Sequence, residues 1–190
     1  MSPIIEATET AKKLIDGCER ITDKFKKWLN DSDYYTAPAS RQNHSAFKGG
    51  LIVHSVNVYK RLLQYNEAYA TQIPEDSMII IGLFHDLCKV YFYGSEKRNR
   101  KNKETGRWEE YDCYTIEDKF PLPHGSKSVV LLHSFLSLSS KEALAVSHHM
   151  GAWDVQDYSK KSSLGEAMHM TEWCLALQVA DQQSTFIDKI

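Results

Sequence analysis

Seven consecutive residues of this chain, Met78-Ile-Ile-Ile-Gly-Leu-Phe84, carry no charged or hydrogen-bonding side chain, and they run without a break into His85 and Asp86. A helix that is apolar on every face has no side to offer to water, so it belongs in the middle of a core. The pair that ends it goes in with it. A buried carboxylate costs several kcal/mol unless it is paired, hydrogen-bonded or bound to a metal. Whatever fold the chain adopts must bring a partner for Asp86 into its interior.

The rest of the sequence supplies candidates of one chemical kind. Asp181 follows Leu175-Ala-Leu-Gln-Val-Ala180 deep in a mostly apolar segment. His54 shares a helix face with Val58 and Leu62, four and eight residues on, within a helix expected from Leu51 to Ala70. His124, His148 and His149 also sit among apolar neighbours. Imidazole and carboxylate together suit Zn, Mn, Fe, Ni or Co, and a carboxylate can bridge two ions. One cation shared by these groups, or two, would relieve the burial penalties together. Two metals held about 3.5–4 Å apart can grip a phosphoryl oxygen and activate a water, which needs no protein nucleophile. Cys88 is accordingly not read as one.

Most of the chain reads as helix. Apolar residues at Ala11, Leu14, Ile15, Ile21, Phe25 and Leu29 predict one amphipathic helix over 5–30. Residues 31–50, rich in Ser, Pro, Asn and Gly, predict a loop, and Pro74 suits the first turn of the next helix. Between 91 and 123, aromatic and β-branched residues flank a polar tip with Thr105-Gly106, which predicts an inserted β-hairpin. Three helices are expected after it. One begins near Ser126. The next opens with Ser139 and Glu142 at capping-box spacing and stops at Gly151. The last runs from about Leu164 to Phe186.

The chain has 190 residues, a length that fits one domain over 1–190. A formal net charge of -2 makes no polyanion trap, so a local basic patch would have to carry any nucleic-acid contact. The run Lys97-Arg-Asn-Arg-Lys-Asn-Lys103 reads first as a solvated hairpin tip and second as a phosphate contact. No apolar stretch reaches the roughly 18 residues of a membrane span. The N-terminus is acidic, and the four cysteines form no CxxC pair. A cytoplasmic chain with reduced thiols is expected, without a membrane or a stable nucleic-acid partner. Oligomeric state leaves no signature.

The order His54 … His85-Asp86 … Asp181 resembles the H…HD…D signature of the HD-domain superfamily of metal-dependent phosphohydrolases. Asn43-His44-Ser-Ala-Phe-Lys-Gly-Gly-Leu51-Ile-Val-His54-Ser55 resembles the entry to the HD domain of a class of bacterial 3′-to-5′ exoribonucleases. His85-Asp-Leu-Cys-Lys89 looks like the HDxxK form, while His124-Gly-Ser-Lys-Ser128 and Ser147-His-His-Met-Gly151 resemble the further His motifs of dinuclear members. Small stand-alone HD proteins of bacteria and their prophages are similar. The resemblance implies an all-α HD-type fold with a metal-binding core over 41–187 and a hairpin insertion over 91–123.

It also implies roles. His54, His85, Asp86 and Asp181 would hold a first ion, and Asp86 would bridge to a second completed by His124 and by His148 or His149. Lys89 would face a substrate phosphate and act with Asp86 in catalysis. Lys127, His44 and Trp153 are further candidate substrate contacts, Trp153 as an aromatic face beside a base. The implied activity is hydrolysis of a nucleotide or short nucleic-acid phosphoester with divalent Mn, Ni, Fe, Co or Zn, two ions rather than one. Relatives that are dinuclear iron oxygenases, and non-catalytic sensor modules on the same fold, are the alternatives.

Overall fold

The computed structural model describes residues 2–42, 45–154 and 158–188. The apolar run lies within helix Glu75–Phe84, whose residues from Ser77 to Phe84 are all buried. Pro74 precedes it as the N-cap, one position outside the first turn.

In chain order the described helices are α1 (Pro3–Gly17), α2 (Asp23–Asp31), α3 (Gly50–Tyr69), α4 (Glu75–Phe84), α5 (His124–His133), α6 (Ser140–His148), α7 (Tyr158–Met170) and α8 (Trp173–Phe186). Helix α3 packs on α4 and on α8, α6 packs on α8 and α4, and α5 packs on α6. Helix α5 also touches the short 3₁₀ turn Leu87–Lys89 that follows α4. The end of α4 is therefore ringed by α3, α5, α6 and α8. His54, Val58 and Leu62 are all buried, as their shared face required.

Two helices expected as continuous are each broken. Residues 5–30 form α1 and α2 rather than one helix, because the chain turns extended at Cys18 and restarts with Thr22 accepting from the Phe25 backbone N–H. The turn lets Cys18 and Ile21 join the core with Ala11, Ile15, Phe25 and Leu29. The last expected helix divides into α7 and α8 at buried Thr171, whose Oγ1 accepts from the Trp173 backbone N–H at 3.3 Å. Helix α5 begins at His124, two residues before the expected start.

Helix α6 opens with the full capping box, Ser139 bonded to the Glu142 backbone and Glu142 bonded back. Arg20 also donates to Glu142, at 2.9 Å from its Nη2, tying the α1–α2 turn to α6. Gly151, with φ of 56°, takes the left-handed conformation that favours glycine just beyond the helix.

The insertion is a two-stranded antiparallel hairpin, β1 (Tyr93–Lys101) and β2 (Trp108–Ile116), in register from Tyr93 opposite Ile116 to Lys101 opposite Trp108. At its tip Asn102 Oδ1 accepts from the Glu104 and Thr105 backbone N–H groups, and Gly106 has φ of 68°. The basic run faces its own acids. Lys97 pairs with Glu110 at 2.6 Å, Arg100 with Glu109 at 2.7 Å, and Arg98 with Glu96. No helix among the described residues is long and apolar enough to cross a membrane.

Candidate metal centre

Helix α4 ends at Phe84, and His85 and Asp86 occupy the bend into the 3₁₀ turn, both fully inside. Around them the ligand atoms fall into two overlapping sets. On one side His54 Nε2 from α3 lies 3.3 Å from His85 Nε2, 3.0 Å from Asp181 Oδ1 and 3.6 Å from Asp86 Oδ2. His85 Nε2 is 3.5 Å from the same Asp86 oxygen and 3.9 Å from Asp181 Oδ1. On the other side Asp86 Oδ1 lies 2.6 Å from His124 Nε2 and 3.4 Å from His149 Nε2. The two oxygens of one carboxylate thus face two different pairs of imidazoles. His54 with His85 and Asp86, His85 with His149 and Asp181, and Asp86 with His124 and His149 each form a group compact enough to hold an ion.

The far nitrogens of three rings are anchored to oxygens. His85 Nδ1 lies 2.9 Å from the Gly82 carbonyl and His149 Nδ1 2.7 Å from the Val146 carbonyl. His54 Nδ1 lies 3.1 Å from Ser184 Oγ, whose hydroxyl reaches the His54 carbonyl at 3.4 Å. Each partner is an acceptor for an Nδ1–H, which leaves the Nε2 lone pair pointing inward. This is the tautomer a metal ligand needs. Among the described residues His149 Nε2 is buried without a hydrogen-bond partner, an orphan position that a cation would satisfy. The donor set therefore fits divalent transition metals.

Helix crossing places the second pair. A methyl added at Gly125, next to His124, would stand 2.2 Å from the Ser147 carbonyl oxygen. Only glycine lets α5 approach α6 this closely, and the approach brings His124 and His149 to one oxygen.

Electrostatics favour a charged carboxylate here. Burial opposes ionisation of Asp86, yet Lys89, His85 and His124 together hold its carboxyl well below the usual range. Burial also opposes ionisation of Asp181, and His54 with His85 and His149 overcomes it. Burial pushes His85 and His124 down, toward the neutral form that ligates. At His149 burial is outweighed by Asp86, and its affinity for a proton rises. Lys89 Nζ sits 2.6 Å from Asp86 Oδ2. The Cys88 thiol, 3.3 Å from His124 Nδ1, is pushed up to about 12 by burial and stays protonated.

A cleft of about 780 Å³ opens onto this centre. Asp86, Lys89, His124, His149 and Asp181 line it, as does Trp153. His148, next to His149, is half-buried and belongs to none of the ligand groups among the described residues. Lys127 does not line the cleft. It is buried, paired with Asp118, with Nζ 4.9 Å from the Phe92 ring centroid, so it fastens the hairpin base to α5. His44 lies outside the described residues. Sequence reasoning missed Ser184, although a polar residue three positions after Asp181 on one helix was a readable signal. It also missed Tyr93, Gln182, Thr185 and Phe186, which line the cleft.

An all-helical core in which one carboxylate stands between two sets of imidazoles defines a metal-site protein. The HD domain model matches residues 51–184, and the chain belongs to that family. An 85-residue stretch, 43% of this chain, is 33% identical to a dihydroneopterin 2′,3′-cyclic phosphate phosphodiesterase of Methanocaldococcus jannaschii. The match spans 31% of that protein. No solved structure matches the chain.

Proposed function

We propose that this protein is a metal-dependent phosphohydrolase acting on a nucleotide or short nucleic-acid phosphoester. The observation that carries the reading is the division of Asp86, one oxygen toward His54 and His85 and the other toward His124 and His149. A buried carboxylate with that many imidazoles is costly unless it serves cations. In this reading His54, His85, Asp86 and Asp181 hold one ion, and Asp86, His124 and His149 hold the other. Bound there, divalent ions supply an activated water and positive charge for the phosphoryl oxygens.

The chain's own residues do the rest. The carbonyls of Gly82 and Val146 and the Ser184 hydroxyl hold three rings in the ligating tautomer. Lys89 keeps Asp86 ionised and lines the cleft, where its ammonium stands near a substrate phosphate. The name of the archaeal relative, a dihydroneopterin 2′,3′-cyclic phosphate phosphodiesterase, supports a phosphoester substrate.

The test is a hydrolysis screen over nucleoside monophosphates, 2′,3′-cyclic nucleotides and short RNA with Mn, Ni, Co, Zn, Fe and Mg. Asp86→Ala runs beside the wild type. Phosphoester cleavage that needs metal and disappears in Asp86→Ala is expected. Equal turnover in both proteins, or oxygen consumption without phosphoester cleavage, would overturn the assignment.

A further inference from the structure

The cleft above the metal centre is chemically lopsided. Asp86, Lys89, His124 and His149 give it an ionic lining, whereas Trp153 and Phe186 line it with large, exposed aromatic side chains. Trp153 is 76% exposed and Phe186 60% exposed, so both rings stand open beside the cleft. They come from different elements, Trp153 from the 3₁₀ turn Gly151–Asp154 and Phe186 from the last turn of α8. Each element is tied to the centre, since α8 carries Asp181 five residues before Phe186 and the 3₁₀ turn starts two residues after His149. Gln182 and Thr185 line the cleft from the same stretch of α8, so hydrogen-bonding groups stand beside the aromatic surface.

We infer that Trp153 and Phe186 form a stacking subsite for the flat heteroaromatic ring of the substrate, with its phosphate at the Asp86–Lys89 end. This rests on the phosphohydrolase reading and assigns to it the residues that hold the base. An exposed aromatic face is costly in water and gains when a ring covers it, whatever the ring's hydrogen-bonding pattern. Gln182 and Thr185 supply the polar contacts that stacking does not. Trp153, expected from the sequence as an aromatic face beside a base, thereby acquires a partner that the sequence did not single out.

The experiment compares hydrolysis of adenosine monophosphate with that of ribose 5-phosphate, which lacks the base, in wild type, Phe186→Ala, Trp153→Ala and Phe186→Tyr. Removing one stacking ring should lower the ratio of the two kcat/KM values by about 5- to 150-fold, while Phe186→Tyr keeps it near wild type. A merely structural role would lower both activities alike and leave the ratio unmoved, which would overturn the inference. Adenosine alone is the second probe. It should quench tryptophan fluorescence in wild type and lose that quench in Trp153→Phe or bind more weakly in Phe186→Ala. Adenosine binding that ignores all these substitutions also refutes the subsite. A wild type that binds adenosine through Trp153 but cleaves no phosphoester would refute the hydrolase reading and leave the subsite standing.

Discussion

Replacing Ser184 with alanine should weaken metal binding without touching any proposed ligand. The hydroxyl lies 3.1 Å from His54 Nδ1 and reaches the His54 carbonyl at 3.4 Å, in a buried setting. Without it the buried imidazole N–H loses this acceptor, and a buried hydrogen-bonding group left without a partner costs about 1–3 kcal/mol. The ring can then rotate or adopt the other tautomer, which turns its lone pair away from Asp181. Loss of such an outer partner costs about 10- to 100-fold in metal affinity. Titration of chelator-stripped protein with Mn or Zn against a competing chelator reads this directly. Ser184→Ala is expected to be folded by circular dichroism and to bind about 10- to 100-fold more weakly. Wild-type affinity in a folded variant would refute the claim that the hydroxyl orients His54.

Three further outcomes follow from the geometry. Gly125→Ala drives a methyl to 2.2 Å from the Ser147 carbonyl, so it should cost about 1–3 kcal/mol or more in urea unfolding and impair the His124–His149 side first. Lys89→Met leaves Asp86 without its cation and should cost about 3–5 kcal/mol in metal-free protein, with a smaller loss when divalent ions are saturating. Glu142 is buried, and although burial opposes its charge, Arg20 and the Ser139 N–H hold its carboxyl below the usual glutamate range. A depressed carboxyl contributes stability above its unfolded pKa and loses it as pH falls through the folded value. Glu142→Gln should therefore lower stability at neutral pH and flatten its decline below about pH 4.3, read from thermal midpoints against pH.

The core of the site was legible because burial and charge conflict so sharply there. An apolar run ending in His85-Asp86 and a carboxylate at Asp181 within an apolar helix admit few solutions, and the structure brings both together with His54. His149 was also within reach. It continues the buried stripe of Glu142, Ala145 and Val146 at helical spacing, whereas His148 lies on the neighbouring face. Less readable were the breaks at residues 18–22 and 171–172, since the latter carries neither Gly nor Pro and depends on tertiary burial of Thr171. The basic hairpin run read first as a solvated tip and second as a phosphate contact, and its counter-charges could not be assigned because Glu109 and Glu110 are supplied by the opposite strand. Lys127 was misleading for a similar reason. Its partner Asp118 lies in the segment between β2 and α5, and only the folded path of that segment brings the two side chains together.

The most direct test of the centre is an anomalous difference map from crystals grown with Mn. Two peaks should flank the Asp86 carboxylate, one among His54, His85 and Asp181 and the other between His124 and His149. Absence of a peak beside Asp86, or one found only elsewhere in the protein, would contradict the account.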